Sequence, residues 1–181
     1  AVAIYNTTDG GFILFGQGEG ETYTTHVIKV NSNGDEEWYE ILGQENFDNQ
    51  LFMAAPTIDE GYIMCTGSSS NMYLNKIDAN GNEVWSQNYN NTPWMNYIQQ
   101  TSDNGYIVVG DASGPYGASD VKLMKLDEEG NIEWSSFYGG FETERAYCVQ
   151  QTSDGGFIIS GRSESFDNWV IALYIIKTDS N

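Results

Sequence analysis

Short runs of apolar and β-branched residues, each bounded by Gly, Asp or Asn, follow one another along the whole chain. The runs AYCVQQ (146–151) and GFIISG (156–161) flank a turn-like segment, as the two strands of a hairpin do. A third run ends in a lysine, and a turn rich in Asp, Asn and Gly leads from it to a fourth run that carries a tryptophan. Apolar residues do not recur with the helical period. The pattern therefore predicts an all-β protein.

This pattern recurs along the chain in four copies, of which the last lacks the fourth run. A Thr-x-Asp-x-Gly-aromatic segment begins at Thr7, Thr57, Thr101 and Thr152, with spacings of 50, 44 and 51 residues. Four short strands in about 45–50 residues, with a tryptophan in the last, are typical of a propeller blade. We therefore expect a β-propeller of four repeats, at about 1–46, 47–93, 94–142 and 143–181. The fourth repeat ends after its third strand, which predicts fifteen strands in a single propeller domain or a fragment of one.

The residues that recur at fixed repeat positions are interpreted as structural, because a catalytic residue is not needed once per repeat. The Thr and Asp of the first turn can bond the backbone of that turn, and its Gly can supply a positive φ. The first-to-second and third-to-fourth turns lie at the same end of a blade. Each lysine is therefore expected within about 6 Å of an aspartate of its own or a neighbouring blade. The residues concerned are Asp9, Asp59, Asp103, Asp154, Lys29, Lys76, Lys125, Lys177, Trp38, Trp85 and Trp134.

Charge narrows the choice of partners. The chain of 181 residues has 26 Asp and Glu against 7 Lys and Arg, a net charge of −19. Such a charge repels polyanions, so we expect no nucleic acid partner. No run approaches the roughly 18 apolar residues that span a membrane, so we expect no membrane insertion. Cys65 and Cys148 have neither disulfide-framework nor metal-ligand spacing, and we expect them to be buried free thiols.

The repeat also resembles a known group of proteins. The motifs Q-T-S-D-G-G-F-I-I-x-G and I-K-x-D-x-x-G-N-x-x-W-x-x-x-Y-G-G are similar to repeats of secreted or surface-anchored bacterial and archaeal proteins, which are generally taken to be β-propellers. Residues 99–110, 122–140 and 150–161 carry the best matches. The resemblance implies a propeller fold and an extracellular or cell-surface location, and little about activity. Repeats 1 and 2 depart from the motif at 41–43 and 89–91.

Ligand binding is expected in the loops that vary between repeats, since function tends to lie in variable loops on a rigid scaffold. These are the second-to-third strand loops (17–25, 68–71, 111–119 and 162–168) and the connections between blades (43–50, 90–96 and 139–145). Aromatic side chains beside carboxylates there suit sugar stacking or protein contact. The candidate ligand-binding residues are Trp94, Trp169, Tyr116, Asp111, Asp120, Glu142, Glu144 and Arg145. No cofactor is predicted, although Asp111 and Asp120 bracket a loop whose carboxylates could hold Ca²⁺.

Three functions follow as hypotheses. The first is a non-enzymatic extracellular module that binds a protein or a glycan through its loop face. The second is a structural subunit of a surface layer or filament, or half of a larger propeller, joined through the open edge of the fourth repeat. The third is a carboxylate-dependent carbohydrate-active enzyme, which the many loop acids allow without specifying a pair. His26 lies in a strand and is interpreted as a strand-edge residue.

Overall fold

The computed structural model describes residues 3–18, 24–42, 50–67, 71–90, 95–166 and 171–180. Within these ranges the chain forms fifteen antiparallel strands in four sheets and no helix. Each sheet is built from consecutive strands, so that every strand pairs with its neighbours in the chain. The all-β prediction is confirmed, and the described residues include no helix long and apolar enough to cross a membrane.

Sheets 1 and 2 each contain four strands. Sheet 1 consists of β1 (Ala3–Asn6), β2 (Phe12–Gly18), β3 (Thr24–Val30) and β4 (Glu36–Leu42). Sheet 2 consists of β5 (Gln50–Pro56), β6 (Tyr62–Gly67), β7 (Asn71–Ile77) and β8 (Glu83–Asn90). Both belong to a first compact unit, Ala1–Asn91.

Sheets 3 and 4 belong to a second compact unit, Thr92–Asn181. Sheet 3 consists of β9 (Met95–Gln100), β10 (Tyr106–Ala112), β11 (Asp120–Leu126) and β12 (Ile132–Tyr138). Sheet 4 consists of β13 (Glu144–Gln151), β14 (Phe157–Ser163) and β15 (Ala172–Thr178), in that order. Every sheet lies inside one of the four predicted repeats.

Each unit buries an apolar core between its two sheets. The aromatic residue that ends the Thr-x-Asp-x-Gly segment contributes to it: Tyr62 lies 5.3 Å from the Phe15 ring, and Phe157 lies 5.9 Å from the Trp134 ring, measured between centroids. The core of the first unit comprises Ile13, Phe15, Val27, Leu51, Ala54, Tyr62, Met64 and Ile77. The core of the second comprises Ile107, Val109, Val121, Leu123, Ala146, Val149, Phe157 and Ile159. Both cysteines are free; Cys65 is buried as expected, whereas Cys148 is half-buried.

The turns between first and second strands correct one sequence prediction. The positive φ lies on the residue before the shared Gly, with values of 86°, 64°, 69° and 83° in sheets 1 to 4 at Gly10, Glu60, Asn104 and Gly155. The shared Gly is required for a different reason, which is close approach to the backbone. At Gly105, for example, a Cβ would stand 2.2 Å from the carbonyl oxygen of Leu126. The side-chain prediction is confirmed, because the Asp of each turn accepts bonds from the Thr hydroxyl and the Gly N–H.

The predicted lysine–aspartate pairs are present in all four sheets. Each joins the third strand to the first turn of its own sheet: Lys29–Asp9 at 2.6 Å, and Lys76–Asp59, Lys125–Asp103 and Lys177–Asp154 at 2.9 Å each. We call these four pairs the clasps. In the clasps of sheets 1 to 3 the lysine is buried and paired in register with the repeat tryptophan. Each clasp therefore ties the turn end of one sheet together.

Candidate functional site

The second unit brings several of the predicted ligand-binding residues to the end of sheets 3 and 4 that carries the variable loops. The described part of this loop end consists of residues 113–119, 139–143 and 164–166 with the strand ends beside them. A pocket of about 300 Å³ lies here, lined by Asn96, Asp111, Arg145 and Tyr147. Two of these residues, Asp111 and Arg145, are among the predicted ones.

We call this the Asp111 pocket, after its buried acid. Only 8% of Asp111 is exposed. The amide of Asn96 donates hydrogen bonds to Asp111 Oδ1 and to the carbonyl oxygen of Ala146, the latter at 2.8 Å. Burial raises the pKa of Asp111, while the Asn96 amide and the charges of Arg145 and Arg162 act in the opposite direction. The pocket therefore holds a carboxyl group whose charge is only partly balanced.

Arg145 and Tyr147 complete the lining of the pocket, and Arg162 lies beside Arg145 in the neighbouring strand. Arg145 and Tyr147 are exposed, so the guanidinium and phenol groups are accessible to a ligand. Arg162 pairs with Arg145 across β13 and β14, and its buried Nε has no hydrogen-bond partner among the described residues. A guanidinium, an amide, a carboxyl group and an aromatic face together suit a ligand rich in hydroxyl or carbonyl groups.

Bulges position two of the pocket residues, and sequence reasoning missed both. In β9 the pairing moves from Met95 to Tyr97, which leaves Asn96 as the extra residue; in β13 Tyr147 is extra in the same way. A bulge re-aims a side chain out of the alternating pattern of a strand. Phe52 is the extra residue in β5. All three stand five positions before the Thr of the repeat, which is the signal in the sequence that could have revealed them.

Asp111 and Asp120, the two acids that bracket the loop considered for Ca²⁺, do not face each other. Asp111 lies opposite Val121 and Asp120 lies opposite Ala112, so the two acids are neighbours in the ladder. Adjacent positions in a ladder point to opposite faces of the sheet. Asp111 accordingly faces Asn96, whereas Asp120 contacts the loop residue Tyr116, whose N–H donates to Asp120 Oδ2 at 2.9 Å.

Of the remaining predicted ligand-binding residues, three are described by the structure and two are not. Glu144 is buried at the start of β13, and Glu142 lies in the preceding loop, where its N–H donates to Ser165 Oγ at 2.9 Å. The Tyr116 side chain is exposed. Trp94 and Trp169 lie outside the described residues, so their role as ligand contacts stays a prediction.

Comparison with known proteins informs the fold alone. The search against protein-family models and the search of curated sequences gave no match. Among solved structures, the chain is similar to a protein of unknown function from Bacteroides caccae, with a TM-score of 0.55 and 12% sequence identity. The alignment covers 98% of this chain and 60% of that one, so the chain spans less than two thirds of that protein. This similarity supports the arrangement of the strands and assigns no activity.

Proposed function

We propose that the four sheets are blades of a β-propeller, or of part of one, of the kind found in secreted bacterial and archaeal repeat proteins. Support comes from the sheets themselves. Each is a meander of consecutive antiparallel strands, and all four carry the same clasp at the same end. Repetition of one small antiparallel sheet is the building principle of propellers. An extracellular location belongs to the same proposal.

The function we propose is binding of a glycan or a protein, without catalysis, through the loop end that contains the Asp111 pocket. The observation that carries it is the pair of bulges that aim Asn96 and Tyr147 at Asp111 and Arg145. Polar groups converging beside an exposed ring are the elements that fix and stack a sugar. The pocket volume of about 300 Å³ is at the lower end for small-ligand sites, which favours one or two saccharide units.

A glycan array followed by calorimetry on the best ligand tests this function. Tyr147→Ala and Asp111→Asn should each weaken binding at least about tenfold, a loss of about 1.4 kcal/mol. Phe141→Ala is the matched control, because Phe141 is 91% exposed in the adjoining loop and does not line the pocket. Equal affinity of all three variants and the wild type would refute the pocket as the site. Hydrolysis of the bound glycan would favour the carbohydrate-active enzyme instead.

Self-assembly through sheet 4 is the second candidate function, and the exposure of β15 favours it. Within the described residues β15 pairs with β14 and has no outer neighbour, and Leu173 and Ile175 are 76% and 59% exposed. An apolar strand at a sheet edge is a template for pairing with another chain. A copy of this chain, or a strand of the same longer protein, would cover it.

Light scattering over a range of protein concentrations tests the second candidate. The wild type should show a rising mass, and Leu173→Lys should suppress the rise because a charge on the edge opposes pairing. Ile58→Lys is the control, since Ile58 is equally exposed, at 75%, in a turn of sheet 2. A constant monomer mass at millimolar concentration would remove self-assembly from consideration.

A further inference from the structure

Two fully buried carboxylates meet at the junction of sheets 3 and 4. Asp120 opens β11, Glu144 opens β13, and each residue is 0% exposed. Both face Gly139 in the connecting loop: Asp120 Oδ1 lies 2.1 Å and Glu144 Oε2 lies 2.7 Å from the point where a Cβ on Gly139 would stand. Only a residue without a side chain fits between these two oxygens and the loop.

Glu144 accepts three hydrogen bonds through its two carboxyl oxygens. Its Oε1 accepts from the hydroxyls of Ser163 at 2.6 Å and Ser165 at 2.5 Å, and its Oε2 accepts from the Gly140 N–H at 2.7 Å. The connecting loop and the residues at the end of β14 thus converge on the Glu144 carboxyl group.

Only one of the two carboxyl oxygens of Asp120 has a hydrogen-bond partner among the described residues. Its Oδ2 accepts from the Tyr116 N–H, but its buried Oδ1 has no hydrogen-bond partner among the described residues. A buried polar atom left without a partner costs free energy, and a buried charge costs more. The atom without a partner is the one that faces Gly139, on the same side as Glu144 Oε2.

The ion pairs in the described part of the second unit do not reach the two acids. In the described part of the second unit, the ion pairs join Lys125 to Asp103 and Glu133, Arg162 to Glu164, and Lys177 to Asp154. None of them includes Asp120 or Glu144. The pKa of nearby Tyr174 is raised, first by burial and then by the negative charges of Glu144 and Asp120.

We propose that Asp120 and Glu144 bind a divalent cation of the Ca²⁺ class at the junction of sheets 3 and 4. Hard cations take carboxylate oxygens, and Ca²⁺ accepts six to eight oxygens in flexible geometry. The described residues show no third acidic, His or Cys side chain in the cluster, so backbone carbonyls and water would supply the other ligands. Such an ion would join β11, the connecting loop and β13, and it would fix the loop end beside the Asp111 pocket.

The test is calcium binding and thermal unfolding of chelator-treated protein. Calorimetry should give one Ca²⁺ per chain with a Kd of about 10⁻⁴–10⁻³ M, the range of extracellular calcium modules. At 10 mM Ca²⁺ the melting temperature should rise by about 5 °C relative to NaCl of equal ionic strength. The same melting temperature in both salts, without calorimetric binding, would overturn the proposal. A rise on acidification without a calcium response would do the same, because it would indicate a proton shared by the two acids.

Asp120→Asn separates a cation site from a merely structural role. The change removes one of two neighbouring buried acids, so the metal-free variant should melt no lower than the metal-free wild type. Its calcium response should be lost. Glu133→Gln removes the same charge from an exposed position of sheet 3 and should keep the full response. A full calcium response in Asp120→Asn would refute the assignment, and calorimetry on the wild type decides independently of whether the variant folds.

Discussion

Two residues of the first turns hold a backbone conformation that glycine holds elsewhere in the protein. Glu60 and Asn104 have φ values of 64° and 69° where the other two turns have Gly10 and Gly155. Asn tolerates this left-handed region through its short polar side chain, whereas Glu has no such compensation and is strained by about 1–2 kcal/mol. The turn between β5 and β6 in sheet 2 is therefore strained at Glu60.

Replacing Glu60 by Gly should stabilise the protein. Relief of the strain exceeds the extra entropy of a glycine in the unfolded chain, which leaves a gain of about 0.5–1 kcal/mol. The weak bond from Thr8 Oγ1 to Glu60 Oε2, at 3.3 Å, is lost with little effect. Urea unfolding measures the change, and Glu60→Ala serves as the control because it keeps the strain. Equal midpoints for the Gly and Ala variants would contradict the argument.

Acid should unfold the protein as the clasp aspartates become protonated. Burial alone would raise the pKa of Asp103, but hydrogen bonds from Thr101, Lys125 and the Gly105 N–H outweigh it and lower the pKa to about 2. A carboxyl group whose pKa is lower in the folded state stabilises the protein above the unfolded value, near 4. That stabilisation is lost as the pH falls from about 4 to about 2.

Stability measured by urea unfolding between pH 5 and pH 2 checks this pH dependence. The wild type should lose stability steadily through the window. Asp103→Asn should start lower at pH 5 and show a shallower decline, because one of the titrating groups is missing. An identical slope in the variant would mean that Asp103 does not contribute to acid unfolding.

At the scale of the sheet, bulges in the fourth strands determine how the clasps differ. The extra residue is Glu37 in β4 and Glu133 in β12, and each gives its lysine a second carboxylate partner. In β8 the extra residue is Val84, which supplies no second carboxylate. Lys76 also donates to the carbonyl oxygen of Ile77 at 3.0 Å, as the lysines of sheets 3 and 4 do to the residue that follows them. In sheet 4 the Lys177 side chain is 44% exposed, against 4% for Lys76.

Removal of the lysine should therefore cost more in sheet 2 than in sheet 4. Lys76→Met should lower the free energy of unfolding by about 1–2 kcal/mol, because the buried Ile77 carbonyl loses its donor while the exposed Asp59 regains water. Lys177→Met, the matched control, also loses a bond to the next carbonyl, but that bond is exposed and water replaces it. It should cost about 0.5 kcal/mol or less, as exposed ion pairs do. Equal losses in the two variants, measured by urea unfolding, would show that burial does not determine the strength of a clasp.

The sequence predicts the sheets and the clasps because both depend on residues at constant spacing. Thr, Asp, Gly and Lys recur in every repeat, and their short-range geometry follows from turn chemistry. The Asp111 pocket depends instead on Asn96 and Tyr147, whose orientation results from a one-residue bulge in each strand. Strict alternation would have placed these side chains differently, so a pattern of apolar and polar positions does not reveal them. The meeting of Asp120 with Glu144 is a contact between two sheets, and spacing along the chain does not encode it.

At the scale of the whole molecule, the net charge of −19 sets the response to salt. Excess like charge destabilises a compact chain through repulsion, and ions screen it within about 10 Å at 0.1 M. Raising NaCl from about 10 to 300 mM should therefore raise the melting temperature by a few degrees, even though exposed clasp carboxylates lose some attraction. Choline chloride at equal ionic strength is the control, since it screens without a small metal cation. A falling melting temperature would mean that ion pairs outweigh the general repulsion.

Both residues of each clasp belong to the same sheet, and this affects how such a protein can evolve. Polar contacts between sheets differ from one unit to the other: Tyr5 bonds the Ala54 carbonyl in the first, and Asn96 bonds the Ala146 carbonyl in the second. The clasp, by contrast, needs no partner from a neighbouring sheet. A duplicated gene segment that encodes one repeat would therefore also encode the complete clasp of that repeat. The number of repeats can therefore change by whole units, while the surfaces between them diverge separately.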